Sequence, residues 1–226
     1  MTEKEKYAEK ELIIRAKKGD DSAFEEIVKL YEKKICQTIL FMVKNDSVVE
    51  DVAQEVFIKI YKNISKFNEQ SSLYTWIYRI TINACYDEIR KEKKVVYLST
   101  FVENENGEEQ EINFEDSSQN VAEIVEKEAT KTELIDAIKK LPEDARALIV
   151  LRDIREFTYW EIADMLKLKL GTVKSKINRA RKQLRDELKR QGYNYYIDEE
   201  DWYGTKARLS MSNIYNKWKE GPIWKI

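Results

Sequence analysis

Apolar residues recur at helical spacing through the first part of the chain, from about residue 11 to residue 93. The clearest stretch runs from Val49 to Tyr61, where seven apolar residues fall at i, i+3, i+4, i+7 and onward: Val49, Val52, Ala53, Val56, Phe57, Ile60 and Tyr61. This spacing puts them on one side of an α-helix. It therefore predicts an amphipathic helix that packs on its neighbours through that side.

A second stretch, from Trp76 to Arg90, has apolar residues on two sides and a single polar stripe between them. The stripe consists of Arg79, Asn83, Tyr86 and Arg90, which are three or four positions apart. Residues at this spacing share one face of a helix. The pattern predicts a helix that is largely buried and presents one polar edge.

The periodic pattern stops between residues 99 and 120 and resumes near Val121. From Glu103 to Glu128 there are ten acids and one base, a charge of −9. From Lys167 to Gln191 there are ten bases and two acids, a charge of +8, although the whole chain carries only −2. Local charge governs phosphate binding, so the basic C-terminal unit can bind nucleic acid. The acidic stretch is interpreted as a flexible linker.

Composition narrows the fold and the chemistry. Six glycines and two prolines are few for 226 residues, and neither type occurs between Gly19 and Gly107, so we predict an all-α fold. Histidine is absent, and Cys36 and Cys85 stand far apart, so we expect no metal and no cofactor. A charged N-terminus and apolar runs of at most five residues predict a cytoplasmic protein without direct membrane insertion.

The basic C-terminal unit has the pattern of two short helices joined by a tight turn. Thr158 and Glu161 match a capping box at the start of the first helix. The second is predicted from Gly171 to Leu184, and such a helix pair suits the major groove of DNA. We expect Val173, Ile177, Ala180 and Leu184 to face the core, and Lys174, Ser175, Asn178, Arg179, Arg181 and Lys182 to face outward. An ordinary core helix with a solvated basic face gives the same periodicity.

Five segments occur in the order typical of one protein family. The N-terminal half contains AKKGDDSAFEEIVKLYEKKI, EDVAQEVFIKIYKNISKF and SLYTWIYRITINACYDEIRKEKK. The C-terminal unit contains LPEDARALIVLRDIREFTYWEIADML and GTVKSKINRARKQL. Together they resemble the extracytoplasmic-function (ECF) group of sigma-70-type RNA polymerase sigma factors. The resemblance implies region 2 at 10–93, an acidic linker at 94–128, region 4 at 129–191, and an aromatic-rich extension at 192–226.

The resemblance also implies a function and the residues that perform it. The chain would bind core RNA polymerase, read the −35 and −10 elements of promoter DNA, and melt the duplex. The residues that match the polymerase-binding positions are Asp51, Gln54 and Glu55. Those that match the −10 positions are Asn68, Arg79, Asn83, Tyr86 and Arg90. Those that match the −35 positions are Lys174, Ser175, Asn178, Arg179 and Arg181. An anti-sigma factor is a further implied partner.

Several positions depart from the family pattern. Glycine is usual where this chain has Lys167, between the two short helices, and Lys169 leaves the second helix without an obvious side-chain cap. In the loop from Phe67 to Thr75, which resembles the family's base-capturing loop, Asn68 and Glu69 stand where a basic residue and glycine are common. These departures affect the predicted base preference more than the predicted fold.

Other functions are also compatible with parts of the pattern. A stand-alone helix-turn-helix regulator would bind duplex DNA tightly by itself and would need no polymerase-binding helix. A helical polymerase-interacting regulatory protein would bind its partner without conferring promoter recognition. An enzyme is the least compatible class, because the sequence has no histidine and no phosphate-binding loop. The aromatic residues of 192–226 fit either an extra packed helix or a regulatory surface.

Overall fold

The computed structural model describes residues 3–103 and 133–191, with side chains at 7–94 and 133–191. These ranges are helical and contain no strand, which confirms the predicted all-α class. The helices are α1 Glu3–Lys17, α2 Asp21–Met42, α3 Val49–Asn63, α4 Leu73–Glu103, α5 133–139, α6 Glu143–Ile149, α7 Tyr159–Leu166 and α8 Leu170–Arg190. Short 3-10 turns, Asp46–Val48 and Ile64–Lys66, flank α3, and a π-helical turn, Val150–Ile154, follows α6. The chain forms two compact units, Met1–Ile89 and Arg90–Ile226.

The first unit is built around the apolar sides of α2, α3 and α4. Its fully buried residues include Ile27, Ile35, Ile39, Val56, Ile60, Ile77 and Tyr78. Helix α1 ends at a tight turn in which Gly19 adopts a φ of 86°, a conformation that suits glycine. Asp20 then caps α2 by accepting a hydrogen bond from the backbone N–H of Ala23. The predicted helix from Val49 to Tyr61 is confirmed as α3.

The second unit has its own core. Its buried residues include Ile138, Leu148, Ile149, Phe157, Ile162, Val173, Ile177 and Leu184. The capping box is confirmed, since the Thr158 side chain accepts from the N–H of Glu161 and the Glu161 carboxylate accepts from the N–H of Thr158. Lys167 ends α7 in the left-handed conformation, with φ 54° and ψ 42°. This left-handed residue begins the tight three-residue turn, 167–169, between α7 and α8.

Helix α4 is longer than the periodic pattern indicated. The polar stripe ended at Arg90 and the linker was expected from residue 94, but α4 continues to Glu103. No glycine or proline interrupts the chain before Gly107, so nothing in the backbone forces an earlier end. The rest of the predicted linker and the extension at 192–226 lie outside the described residues. Among the described helices, none combines the length and the apolar character needed to cross a membrane.

Candidate functional surfaces

The outer face of α3 carries the residues predicted to bind polymerase. Asp51 and Gln54 are exposed, whereas Glu55 is partly covered and forms an ion pair with Lys59 at 2.7 Å. One turn further along the same face, Ile58 leaves 52% of its surface exposed. We call Asp51, Gln54, Glu55 and Ile58 the α3 outer face. An acidic surface with an exposed apolar residue at its end suits a protein partner.

Local interactions fix the start of α3. Asn45 accepts a hydrogen bond from the N–H of Ser47 and caps the preceding 3-10 turn. Val48, the N-cap residue of α3, makes no side-chain cap, and Glu50 and Asp51 occupy the first turn of the helix. Carboxylates there interact favourably with the helix dipole. Asp51 therefore stabilises the helix while its side chain stays at the surface.

The polar stripe of α4 lies where the spacing predicted. Asn83 and Arg90 are exposed, and Arg79 and Tyr86 are partly covered by their surroundings. Asp87, beside this stripe, is 3.8 Å from the Lys59 ammonium, which also pairs with Glu55. Lys59 thus offsets an acidic charge next to a surface expected to meet DNA.

The loop between Ile64–Lys66 and α4 has an ordered start. Phe67 is buried, and its ring packs against Trp76 at a centroid distance of 5.3 Å. Asn68 is exposed and accepts a hydrogen bond from the N–H of Gln70, which closes a local turn. Glu69 follows with a φ of 60°, in the left-handed region. The amide of Asn68 is therefore presented at the surface from a defined backbone.

Helix α8 presents most of its predicted outward residues. Val173, Ile177, Ala180 and Leu184 are buried, as predicted. Lys174, Ser175, Asn178 and Arg179 are exposed, and we call these four the α8 outer face. Lys169 provides no side-chain cap to α8, as its identity indicated. The exposed set combines two cations with an amide and a hydroxyl, which are groups that bind phosphates and base edges.

Arg181 does not belong to that outer face, and the prediction that its side chain faces outward is wrong. Only 6% of its side chain is exposed, and it forms a buried ion pair with Asp153, whose side chain is 1% exposed. Burial alone would lower the pKa of the Arg181 guanidinium, but the hydrogen bond and charge of Asp153 raise it overall. The guanidinium stays charged and holds α8 to the π-helical turn.

The error at Arg181 has a simple geometric origin. Arg181 lies one turn after Ile177 and next to Ala180, at the edge of the apolar stripe of α8. A residue at such an edge turns inward or outward according to its tertiary partner. Asp153 is that partner, and it comes from a π-helical turn that periodicity did not indicate.

Sequence reasoning also missed two other features. Ile58 is an apolar residue outside the apolar stripe of α3, and this position was the sequence signal that could have identified it. The Lys17 ammonium donates a hydrogen bond to the backbone carbonyl of Phe67 at 2.8 Å, a contact across 50 positions with no local signature. In the described part of the chain, no group of three or more acidic or cysteine side chains could hold a metal ion.

Comparison with known proteins gives a match in each half of the chain. The sigma-70 region 2 family matches residues 27–95, and the sigma-70 region 4 family matches residues 131–184. The ECF RNA polymerase sigma factor SigW of Bacillus subtilis is 39% identical over 80% of this chain and 96% of its own length. The ECF RNA polymerase sigma-E factor of Escherichia coli K12 is 32% identical over 81% of this chain and 96% of its own.

Solved structures support the fold. The sigma factor RpoE of Bartonella quintana, in complex with the anti-sigma factor NepR, superposes with a TM-score of 0.56 and 21% identity. That match covers 74% of this chain and 96% of the other. CnrH, in complex with the cytosolic domain of CnrY, gives a TM-score of 0.56 at 22% identity and covers 81% and 98% of the two chains.

Proposed function

We propose, on the premise that the chain belongs to the ECF group of RNA polymerase sigma factors, that each of its units supplies a separate contact in transcription initiation. As a sigma factor, the chain binds core RNA polymerase and directs promoter-specific initiation. The exposure of Asp51 and Gln54 on the α3 outer face, and of the α8 outer face, is the observation that carries the residue assignment. The role is one of binding and needs no catalytic group. Because its targets are the transcription machinery and the chromosome, we propose the cytoplasm as its place of action.

The α3 outer face is the proposed polymerase contact. Asp51 and Gln54 are exposed and can pair with basic and polar groups of a partner, and Ile58 can be covered by an apolar one. Charged groups across an interface raise the association rate and select the partner. The partly buried Glu55, already paired with Lys59, contributes less to this contact than Asp51.

The α8 outer face is the proposed −35 reader. Arg179 and Asn178 have the donors and acceptors that recognise guanine and adenine edges in the major groove, and each well-paired contact discriminates by about 1–3 kcal/mol. Lys174 and Ser175 are suited to phosphates, which set affinity and register but not sequence. Arg181 acts from inside the domain by holding α8 in place.

The polar stripe of α4 and the preceding loop are the proposed −10 contact. The residues assigned to this surface are Asn68, Arg79, Asn83, Tyr86 and Arg90. Extruding a base costs a few kcal/mol of stacking. Polar groups and aromatic faces that hold the unpaired strand offset this cost, so strand separation does not require ATP hydrolysis.

An anti-sigma factor is a further proposed partner. The Bartonella quintana sigma factor of similar fold was crystallised with one. Binding of such a partner to the α3 outer face would compete directly with polymerase. A protein that competes with core polymerase for the Asp51 and Gln54 side chains would be identified as this partner.

The affinity for core polymerase tests the proposal. Asp51→Lys reverses a charge on the α3 outer face and should weaken binding to sigma-free core polymerase about tenfold, equivalent to roughly 1.4 kcal/mol. Glu25→Lys, at an exposed acid of α2, is the matched control and should stay within about twofold of wild type. Equal effects of the two substitutions would contradict the assignment of the α3 outer face.

A further inference from the structure

Lys17, the last residue of α1, reaches the loop that precedes α4. Its ammonium donates a hydrogen bond to the carbonyl of Phe67 at 2.8 Å and lies 3.6 Å from the carboxylate of Glu69. The side chain of Lys17 is only 28% exposed, so it is partly shielded from competing water. This contact joins the first helix of the domain to the loop that presents Asn68.

The backbone of Lys17 is held by the turn that follows it. The N–H of Lys18 bonds to the carbonyl of Arg15, and the N–H of Gly19 bonds to the carbonyl of Ala16. The Arg15 guanidinium also pairs with Asp20 at 2.8 Å, which ties the end of α1 to the cap of α2. The ammonium of Lys17 therefore extends from a fixed backbone.

The loop is fixed on its other side by packing. The ring of Phe67 is buried against Trp76, which holds the start of the loop against α4. At the end of the loop, the Ser72 hydroxyl accepts from the N–H of Thr75 and caps α4. Lys17 thus holds the peptide that directly precedes Asn68.

Lys17 also offsets a charge that is unfavourable for DNA. Glu69 is an exposed acid in a loop proposed to meet an anionic strand. The Lys17 ammonium pairs with its carboxylate at 3.6 Å. Removing that ammonium would leave an acidic carboxylate beside the strand and raise the repulsion between loop and phosphates.

We propose that Lys17 is a positioning residue for base capture. It fixes the peptide between Phe67 and Asn68, and it neutralises Glu69, so that the loop keeps one conformation when it receives the unpaired strand. This inference rests on the proposed function of the loop. Lys17 itself need not touch DNA.

Transcription with core polymerase from promoters that carry each of the four bases at every −10 position tests the proposal. Lys17→Met should reduce discrimination between bases at one −10 position by about threefold to tenfold. This is a fraction of the loss expected when one bound base is no longer held at all. Preference at the −35 element and affinity for core polymerase should stay within about twofold. The residues that Lys17 contacts, Phe67 and Glu69, belong to neither the α8 outer face nor the α3 outer face. Lys17→Arg, which keeps the charge and a donor, should retain most of the discrimination.

Lys18→Met is the matched control, since Lys18 is the exposed neighbour at the same helix end. It should leave every −10 preference unchanged. A second variant, Glu69→Gly, removes the acid and the positive-φ side chain together, and in its background Lys17→Met should have a smaller effect on −10 preference. If Lys17→Met alone folds poorly, both comparisons are made with Lys17→Gln, which removes the charge but keeps a polar side chain.

Asn68→Ala separates the two ways in which the proposal can fail. If Asn68→Ala alters a −10 preference while Lys17→Met lowers all promoters equally or has no effect, the positioning role of Lys17 is overturned and the loop function stands. If Asn68→Ala leaves every −10 preference unchanged, the proposed function of the loop is overturned, and the role of Lys17 is overturned with it.

Discussion

Replacing Arg181 with methionine removes a buried charge from the helix-turn-helix unit and leaves its partner in place. The Arg181 guanidinium contacts both carboxylate oxygens of Asp153, with one hydrogen bond from Nε to Oδ2 at 3.1 Å. The Asp153 side chain is 1% exposed, so water cannot take over those bonds without opening the structure. The substitution leaves a buried carboxylate without its counter-ion.

The expected cost follows from this burial. Breaking a buried ion pair by removing one partner costs about 3–5 kcal/mol, because the remaining charge stays in a medium of low polarity. A domain of this size is stable by roughly 5–15 kcal/mol, so the variant loses a large fraction of its stability. Replacing both partners with apolar residues of similar volume is often close to neutral. The double variant Arg181→Met with Asp153→Leu should therefore be more stable than Arg181→Met alone.

Hydrogen exchange of the full chain, resolved by mass spectrometry to peptides of α8, measures this cost within the C-terminal unit. The Arg181→Met variant should exchange its slowest α8 amides about 100-fold to 4,000-fold faster, since every 1.4 kcal/mol is a factor of ten. Peptides of α2 and α3 report on the other unit and serve as an internal control. The double variant should recover most of the protection.

A base-reading Arg181 would give the opposite pattern. Stability would change by less than about 0.5 kcal/mol, as for an ordinary surface substitution. The double variant would then lose about 1–3 kcal/mol of discrimination at one −35 base pair. This combination, unchanged α8 protection with a relaxed −35 preference, would refute the assignment of Arg181 to the domain interior.

Further predictions concern caps, turns and acid stability. Thr158→Ala removes the side-chain cap of α7 and should cost about 1 kcal/mol by hydrogen exchange, whereas Thr158→Ser should retain most of it; equal losses would contradict the cap. Lys167→Gly should stabilise the C-terminal unit by about 1 kcal/mol because it relieves a left-handed residue, and a lower melting temperature would contradict this. Hydrogen bonds from Ser22, Arg15 and the N–H of Ala23 lower the pKa of Asp20 from 3.8 to about 2, so its stabilising effect is present above about pH 3.8 and is lost as the pH falls through about 2. The stability difference between wild type and Asp20→Asn should shrink over that interval, and NMR titration of the carboxyl at its ordinary pKa would contradict the prediction.

Helix positions were predictable because the physics that sets them is local. The spacing of apolar residues identified α3 and its buried side, and the Thr158–Glu161 pair identified the start of α7. The sequence also marked two unusual backbone positions. Glu69 and Lys167 stand where the family commonly has glycine, and both adopt a positive φ, so the backbone keeps the glycine conformation with another side chain.

Tertiary contacts were less predictable because distant residues decide them. Arg181 turned inward because the π-helical turn puts Asp153 beside it. Lys17 reached Phe67 across 50 positions, and periodicity cannot indicate such a contact. The α3 outer face was identified as a set of polar positions, but the exposure of Ile58 within it needed the packed structure.

The most direct test of the account is the base preference of the α8 outer face. Transcripts from a library randomised at the −35 element, made with core polymerase and either wild type or Arg179→Ala, give that preference position by position. The account predicts that Arg179→Ala loses about 1–3 kcal/mol of discrimination at one −35 position and keeps every −10 preference. A uniform decline across all −35 sequences, or an unchanged preference at every −35 position, would contradict it.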